Sequence, residues 1–320
     1  MASHNILLAE ARPATHLGQP DMDEEQFRKL SDEKSRPVLP GAKLFRNGQP
    51  EGSAQTGPQA PSGTPVTNLP VLSLRHNIVT PARMWQSLSP VSLDVAWLEG
   101  NGLFANSSIE PAAAAYDILR TRILLAFHEN GWQRIAVTSP SHGCGKSTVA
   151  TNLALSLARR AGSRTVLMDL ELRRPGLATL LGLQDSPPLR DYLTGIQPLD
   201  THFQRYGQTL ALALNGAPVA DAAELLQATD TEGALETMLE QLDPEVVIFD
   251  LPPVLVSDDV IGFAPQVDAV LLVADGTQTT AEEIKACERL FEGRVPVLGL
   301  VLNRAQDIRT SRYRYGRKKR

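Results

Sequence analysis

Only two of the 320 residues are cysteine, Cys144 and Cys287. That excludes a disulfide framework and fits a reducing cytoplasm. No apolar run is long enough to cross a bilayer. Met1 to Ala11 has neither the basic start nor the apolar core of a secretory leader. If the chain works at a membrane, something else is expected to bring it there. No internal repeat is visible. A positive surplus is also missing: the formal net charge is −5, so nothing global points to nucleic acid, and no nucleic-acid partner is expected. The one concentrated basic run is the end of the chain, from Arg312 to Arg320.

What is present is concentrated in one stretch. Ser139-Pro140-Ser141-His142-Gly143-Cys144-Gly145-Lys146-Ser147-Thr148 follows the β-branched segment Arg134 to Thr138 and precedes an apolar helical pattern from Val149 to Ala158. Strand, Gly-Lys-Ser loop and helix in that order identify a phosphate loop. Backbone N–H groups of such a loop converge on an anion, and the helix N-terminus adds partial positive charge. Gly143 to Thr148 are therefore the candidate triphosphate-binding residues, with Lys146 on the β- and γ-phosphates and the Ser147 hydroxyl on Mg²⁺. Pro140 stands where the usual pattern opens with glycine, and proline has no N–H to offer there. His142 reads as a solvent-facing loop side chain. Cys144 reads as a small residue at a tight turn, or as a thiol whose oxidation would block the loop.

The remaining chain divides by composition. Residues 1–90 are rich in Pro, Gly, Ser, Gln and charge and read as mostly disordered, with a short polar helix available over Asp21 to Lys34. Val71 to Leu74 and Val91 to Leu103 carry enough apolar residues to dock, on the chain's own core or on a partner, and the first reading is favoured. Residues 91–306 form the expected globular domain, and 307–320 a basic tail containing Tyr313 and Tyr315. Pro111 to Glu129 is a predicted helix with Tyr116, Leu119, Ile123 and Phe127 on one face. Beyond it, strands are predicted at Ile135–Thr138, Thr165–Asp169, Leu210–Leu214, Val246–Asp250, Ala269–Ala274 and Val297–Leu302. Helices are predicted at Ser147–Ala161, Thr231–Leu242 and Thr280–Phe291. Several strands are continuous apolar runs, as in strands buried on both faces. The expected fold is α/β: an open, mainly parallel sheet with helices on both faces.

In such sheets ligands sit beyond the carboxyl ends of the strands. Two predicted strands end in acid: Asp169, followed by Glu171 and Arg173, and Asp250, followed by Leu251-Pro252-Pro253. A hard cation needs oxygen ligands. Ser147, Asp169 and Asp250 are the candidate metal site, although either aspartate alone could be a cap or turn residue.

From Pro111 to Arg304 the chain resembles the bacterial tyrosine kinases of the capsule and exopolysaccharide type. The resemblance rests on three motifs in order: the phosphate loop, the acidic strand end Asp169-Leu170-Glu171-Leu172-Arg173, and Asp250-Leu251-Pro252-Pro253. It implies an ATP- and Mg²⁺-dependent protein-tyrosine autokinase that regulates polysaccharide synthesis or export. Lys146, Asp169, Glu171 and Arg173 would be catalytic, with Asp169 or Glu171 accepting the tyrosine proton and Arg173 orienting the acids, contacting phosphate, or simply lying on the surface. Asn303 matches the family position at the adenine ring, or is a strand-end turn residue. Tyr313 and Tyr315 would be phosphoacceptors, and the tail could equally be a solvated run or a handle for anionic lipid. The resemblance further implies self-association, a transmembrane polysaccharide chain-length (co-polymerase) activator as partner, and a cytoplasmic location at the inner face of the membrane through that partner. Glu171 replaces the family's second Asp. The family's assembly helix carries Glu-x-x-Arg-x-x-Arg, where this chain has Ala114, Asp117 and Arg120. The chromosome-partitioning and division-site ATPases share the loop and closing strand, but their second loop lysine is Ser141 here. The alternatives are accordingly a nucleotide-switch ATPase that organises partners, or a scaffold that does not hydrolyse nucleotide.

Overall fold

The computed structural model describes residues 7–10, 80–105 and 111–305. The predicted helix over Asp21 to Lys34, the apolar segment at Val71 to Leu74, and Tyr313 and Tyr315 lie outside the described residues.

Among the described residues nine strands form one sheet: β1 (Leu7–Glu10), β2 (Ser89–Val91), β3 (Arg134–Thr138), β4 (Thr165–Asp169), β5 (Gln204–Tyr206), β6 (Leu210–Ala213), β7 (Val246–Asp250), β8 (Ala269–Asp275) and β9 (Val297–Asn303). Their order is β1-β9-β8-β3-β7-β4-β6-β5-β2. The six from β9 to β6 are mutually parallel, while β1 on β9 and β5 on β6 are antiparallel. The main helices are α1 (Pro81–Ser87), α2 (Val95–Gly100), α3 (Pro111–Asn130), α4 (Lys146–Ala158), α5 (Thr229–Leu242) and α6 (Ala281–Phe291).

The parallel core follows from its sequence. Every residue of β4, β7 and β8 is buried, which requires helices over both faces. Alternation of side chains along each strand divides them between two cores. Val166, Met168, Val247 and Phe249 face α1, α5 and α6 with Leu235, Met238, Cys287 and Phe291. Leu167, Ile135, Val137 and Ile248 face α3 and α4, with Leu153 and Leu157. The predicted apolar face of α3 is the buried one: Tyr116, Leu119, Ile123 and Phe127 are all enclosed. Docking of the Val91–Leu103 segment on the chain's own core is also observed, with α2 burying Leu98 and the following turn burying Leu103.

The chain leaves β3 toward β4 on one side and returns from β7 to β8 on the other, so β3 is the topological switch point of the sheet. The phosphate loop is the segment that leaves β3. No helix among the described residues is long and apolar enough to cross a membrane.

Candidate functional site

The site is set by strand register. Asp169 pairs directly with Asp250 across β4 and β7, and Asp250 pairs with Val137 of β3. Both acids therefore stand beside the start of the phosphate loop. That loop is knitted to the turn after β7: Thr138 Oγ1 donates to Pro252 O at 2.6 Å, and Val254 N donates to Ser139 O at 2.9 Å. Gly143 and Gly145 have φ of 81° and 87°, in the left-handed region that glycine enters without steric cost. At Gly145 a Cβ would also meet Asn303 Nδ2 at 2.2 Å. Gly145 is the N-cap of α4, so the first free N–H groups of that helix open onto the loop.

Lys146 is buried, and its ammonium is ion-paired with Glu171 and lies 3.6 Å from Asp250 Oδ1 and 3.3 Å from Ser147 Oγ. Burial pulls the Lys146 pKa down, but Asp250 and Glu171 outweigh it and hold the ammonium above its ordinary range. Burial pushes the Asp169 carboxyl up to about 8, helped by the neighbouring Asp250 and opposed by backbone N–H groups and Lys146. Burial raises Asp250 as well, against the pull of Lys146 and Ser147. Asp169 Oδ2 accepts from Gly176 N at 3.2 Å and Leu177 N at 3.1 Å. Asp169 Oδ1 is buried without a partner, and Asp250 Oδ1, buried without a hydrogen bond, faces the Lys146 ammonium.

These two buried oxygens fit a cation. An unpaired buried carboxylate oxygen is costly, and a hard divalent ion with oxygen ligands removes the cost. No group of three or more His, Cys, Asp or Glu that could hold a metal ion exists among the described residues. The donor set is thus two carboxylates and the Ser147 hydroxyl, an incomplete shell that phosphate oxygens and water would fill, as Mg²⁺ prefers.

The structure brings Gly143 to Thr148, Asp169, Glu171, Asp250 and Asn303 together and separates Arg173 from them. Arg173 does not turn to the acidic pair. Its Nε and Nη2 each lie 3.1 Å from the Asp259 carboxylate, and Nη1 donates to Ala220 O at 2.7 Å. Asp259 is buried, and a planar guanidinium fork is the side chain that matches a carboxylate in two bonds. Asn303 Nδ2 donates to Cys144 O at 3.0 Å, so its amide supports the loop. His142 Nδ1 lies 3.8 Å from Glu171 Oε1 at the rim. Cys144 is buried between Ser141 and Thr279, as a small packed side chain. Two residues were missed from sequence, Asp275 and Arg304, which join at the loop's outer side. Asp275 carried a signal, since it closes β8 as Asp169 and Asp250 close β4 and β7. Arg304 carried none.

On α3, Asp117 accepts from Arg120 Nη1 at 3.0 Å and Ser156 Oγ at 2.6 Å, and pairs with Arg159. The charges at the assembly-helix positions are thus engaged within the chain, across α3 and α4.

Residues 132–312 match the ParA family model, described as NUBPL iron-transfer P-loop NTPase. The tyrosine-protein kinase ptk of Acinetobacter johnsonii is 32% identical over 208 residues, covering 64% of this chain and 28% of that protein. The tyrosine-protein kinase YwqD of Bacillus subtilis is 28% identical over 202 residues, covering 62% of this chain and 84% of that protein. The crystal structure of the VpsO kinase domain superposes with a TM-score of 0.54 at 29% identity, covering 61% of this chain and 95% of that domain. The chain therefore spans little more than a quarter of the Acinetobacter relative's length.

Proposed function

The chain belongs to the ParA family of P-loop NTPases, and from that premise we propose that it is an ATP-dependent protein-tyrosine kinase. Its place is in exopolysaccharide or capsule synthesis or export. The observation that carries this reading is the in-register pair Asp169 and Asp250, with Asp169 Oδ1 unpartnered and Asp250 Oδ1 facing the Lys146 ammonium of the phosphate loop. Relatives named as tyrosine-protein kinases support the acceptor class.

The amides of Gly143 to Thr148 cradle the triphosphate, and Lys146 offsets charge on its outer phosphates. Ser147, Asp169 and Asp250 would hold Mg²⁺, which would supply charge neutralisation to the phosphate oxygens. A tyrosine hydroxyl oxygen forms a bond to the γ-phosphorus as the bond to the β–γ bridging oxygen breaks, and ADP leaves with that electron pair. The hydroxyl proton passes to a carboxylate. The two candidates are Asp169 and Glu171, of which Glu171 is ion-paired with Lys146. Arg173 acts from behind as a strut to Asp259. Tyr313 and Tyr315 are the proposed acceptors. The proposed activator is a transmembrane chain-length protein that holds the kinase at the cytoplasmic face of the membrane.

The test is a phosphosite map of the full chain after incubation with ATP and Mg²⁺, alone and with such an activator. Phosphotyrosine at Tyr313 or Tyr315, lost in Lys146→Met, is the expected result. ATP hydrolysis and nucleotide-dependent self-association without phosphotyrosine, unchanged by Tyr→Phe at both positions, would instead favour the partner-organising ATPase.

A further inference from the structure

Arg304 follows β9 directly and has a φ of 55°. A positive φ is uncommon for a residue with a side chain and persists where surrounding contacts over-determine it. Those contacts are specific. Arg304 Nη1 donates to Gly143 O at 2.8 Å and to Asp275 Oδ2 at 2.7 Å. Asp275 is buried at the end of β8, and its other oxygen accepts from Thr277 N at 2.8 Å and Thr277 Oγ1 at 2.6 Å. The next residue before Arg304, Asn303, donates its amide to Cys144 O. Gly276 N closes the group by donating to Asn303 O at 2.7 Å.

Two consecutive loop carbonyls, those of Gly143 and Cys144, are therefore gripped from outside by two consecutive side chains. A trans peptide unit is planar, and its C=O and N–H point in opposite directions. Fixing the Gly143 carbonyl outward aims the Cys144 N–H the other way, and fixing the Cys144 carbonyl does the same for the Gly145 N–H. An anion-binding loop needs its N–H groups directed inward before the anion arrives, since orienting them afterwards costs binding free energy.

We propose that Asp275 and Arg304 form a tether that, together with Asn303, presets the phosphate loop for a nucleoside polyphosphate. This rests on the nucleotide-site reading above. Arg304 is a positioning residue: it touches the back of the loop at the Gly143 carbonyl and acts through the Cys144 amide. Asp275 anchors its guanidinium. Because one nitrogen makes both bonds, a lysine ammonium at this position can reproduce them.

The experiment compares the full-length parent chain with Arg304→Gly and Arg304→Lys, by calorimetric titration with MgATP and by amide hydrogen exchange without nucleotide. Glycine removes the tether while accepting the backbone conformation. Arg304→Gly is expected to weaken MgATP binding about tenfold, equivalent to about 1.4 kcal/mol, and to speed exchange in residues 143–146 while leaving β3 and β8 protected. Arg304→Lys is expected to restore most of the affinity. Parental affinity in Arg304→Gly, or a loss accompanied by faster exchange throughout the sheet, would overturn the tether alone. Failure of the parent itself to bind MgATP would overturn the nucleotide-site reading and the tether with it.

Discussion

At the scale of single residues, the site concentrates charge that the fold alone would not choose. Asp169, Glu171 and Asp250 surround one buried ammonium, and burial of a carboxylate favours its protonated form. Burial lifts the Asp169 carboxyl to about 8 in the folded chain, from 3.8 as an ordinary aspartate. The folded chain holds that proton across the interval between them and the unfolded chain does not. The stabilisation is complete below about pH 4 and disappears as pH rises through about 8. Asp169→Asn abolishes this titration while keeping an oxygen for the Gly176 and Leu177 amides. The fall in stability of the metal-free parent between pH 5 and pH 8, read by chemical denaturation, is expected to be smaller in Asp169→Asn. A parallel fall in both proteins would show that Asp169 is ionised throughout. Asp169 and Asp250 were legible in the sequence because each closes a continuous apolar strand, a local pattern. The partner of Arg173 was not legible. Asp259 lies 86 positions away, and nothing near Arg173 in sequence marks which of several acids it will meet. Arg304 was hidden for the same reason, since its loop contact spans 161 positions.

At the scale of elements, legibility followed burial. β4 and β7 begin and end where the apolar runs predict, at Thr165–Asp169 and Val246–Asp250. β3 and β9 differ from the predicted strands by single residues. Helix α4 ends at Ala158, before the predicted Ala161, where the chain turns through Gly162 at a φ of 80°. The sheet's edges were not foreseen. β2 and β5 have three residues each, too few for a period to register, and they exist because the parallel core offers them an edge to pair with. Helix α1 is likewise held by tertiary contacts: Trp85 Nε1 donates to Leu242 O at 2.7 Å at the end of α5. Helix α2 contributes through Leu98, which is fully enclosed. Leu98→Ala is expected to cost about 2–5 kcal/mol, the range for deleting an enclosed leucine side chain. Denaturant titration checks it, and a loss under about 1 kcal/mol would mean that the segment packs loosely and that its burial contributes little.

At the scale of the whole molecule, the parallel sheet, its switch point at β3 and the three acid-tipped strands converge on one place, the turn around Gly145. The family-level reading was available from motif order alone, because those motifs are contiguous and each carries its own chemistry. What motif order could not supply was the internal wiring: Asp117 tied to α4, Asn303 to the loop carbonyl, Arg173 to Asp259. These depend on which strands become neighbours, and register is decided by the folded sheet. The claim on which the functional conclusion stands is that Asp169 and Asp250 grip a magnesium-bound triphosphate against that turn. It is tested most directly by calorimetric titration of the full chain with ATP, once with Mg²⁺ and once with a chelator, in the parent and in Asp250→Asn. Tight binding that depends on Mg²⁺ in the parent, with that dependence largely lost in Asp250→Asn, is the expected result. Affinity that is the same with and without the metal, or the same in both proteins, would contradict it.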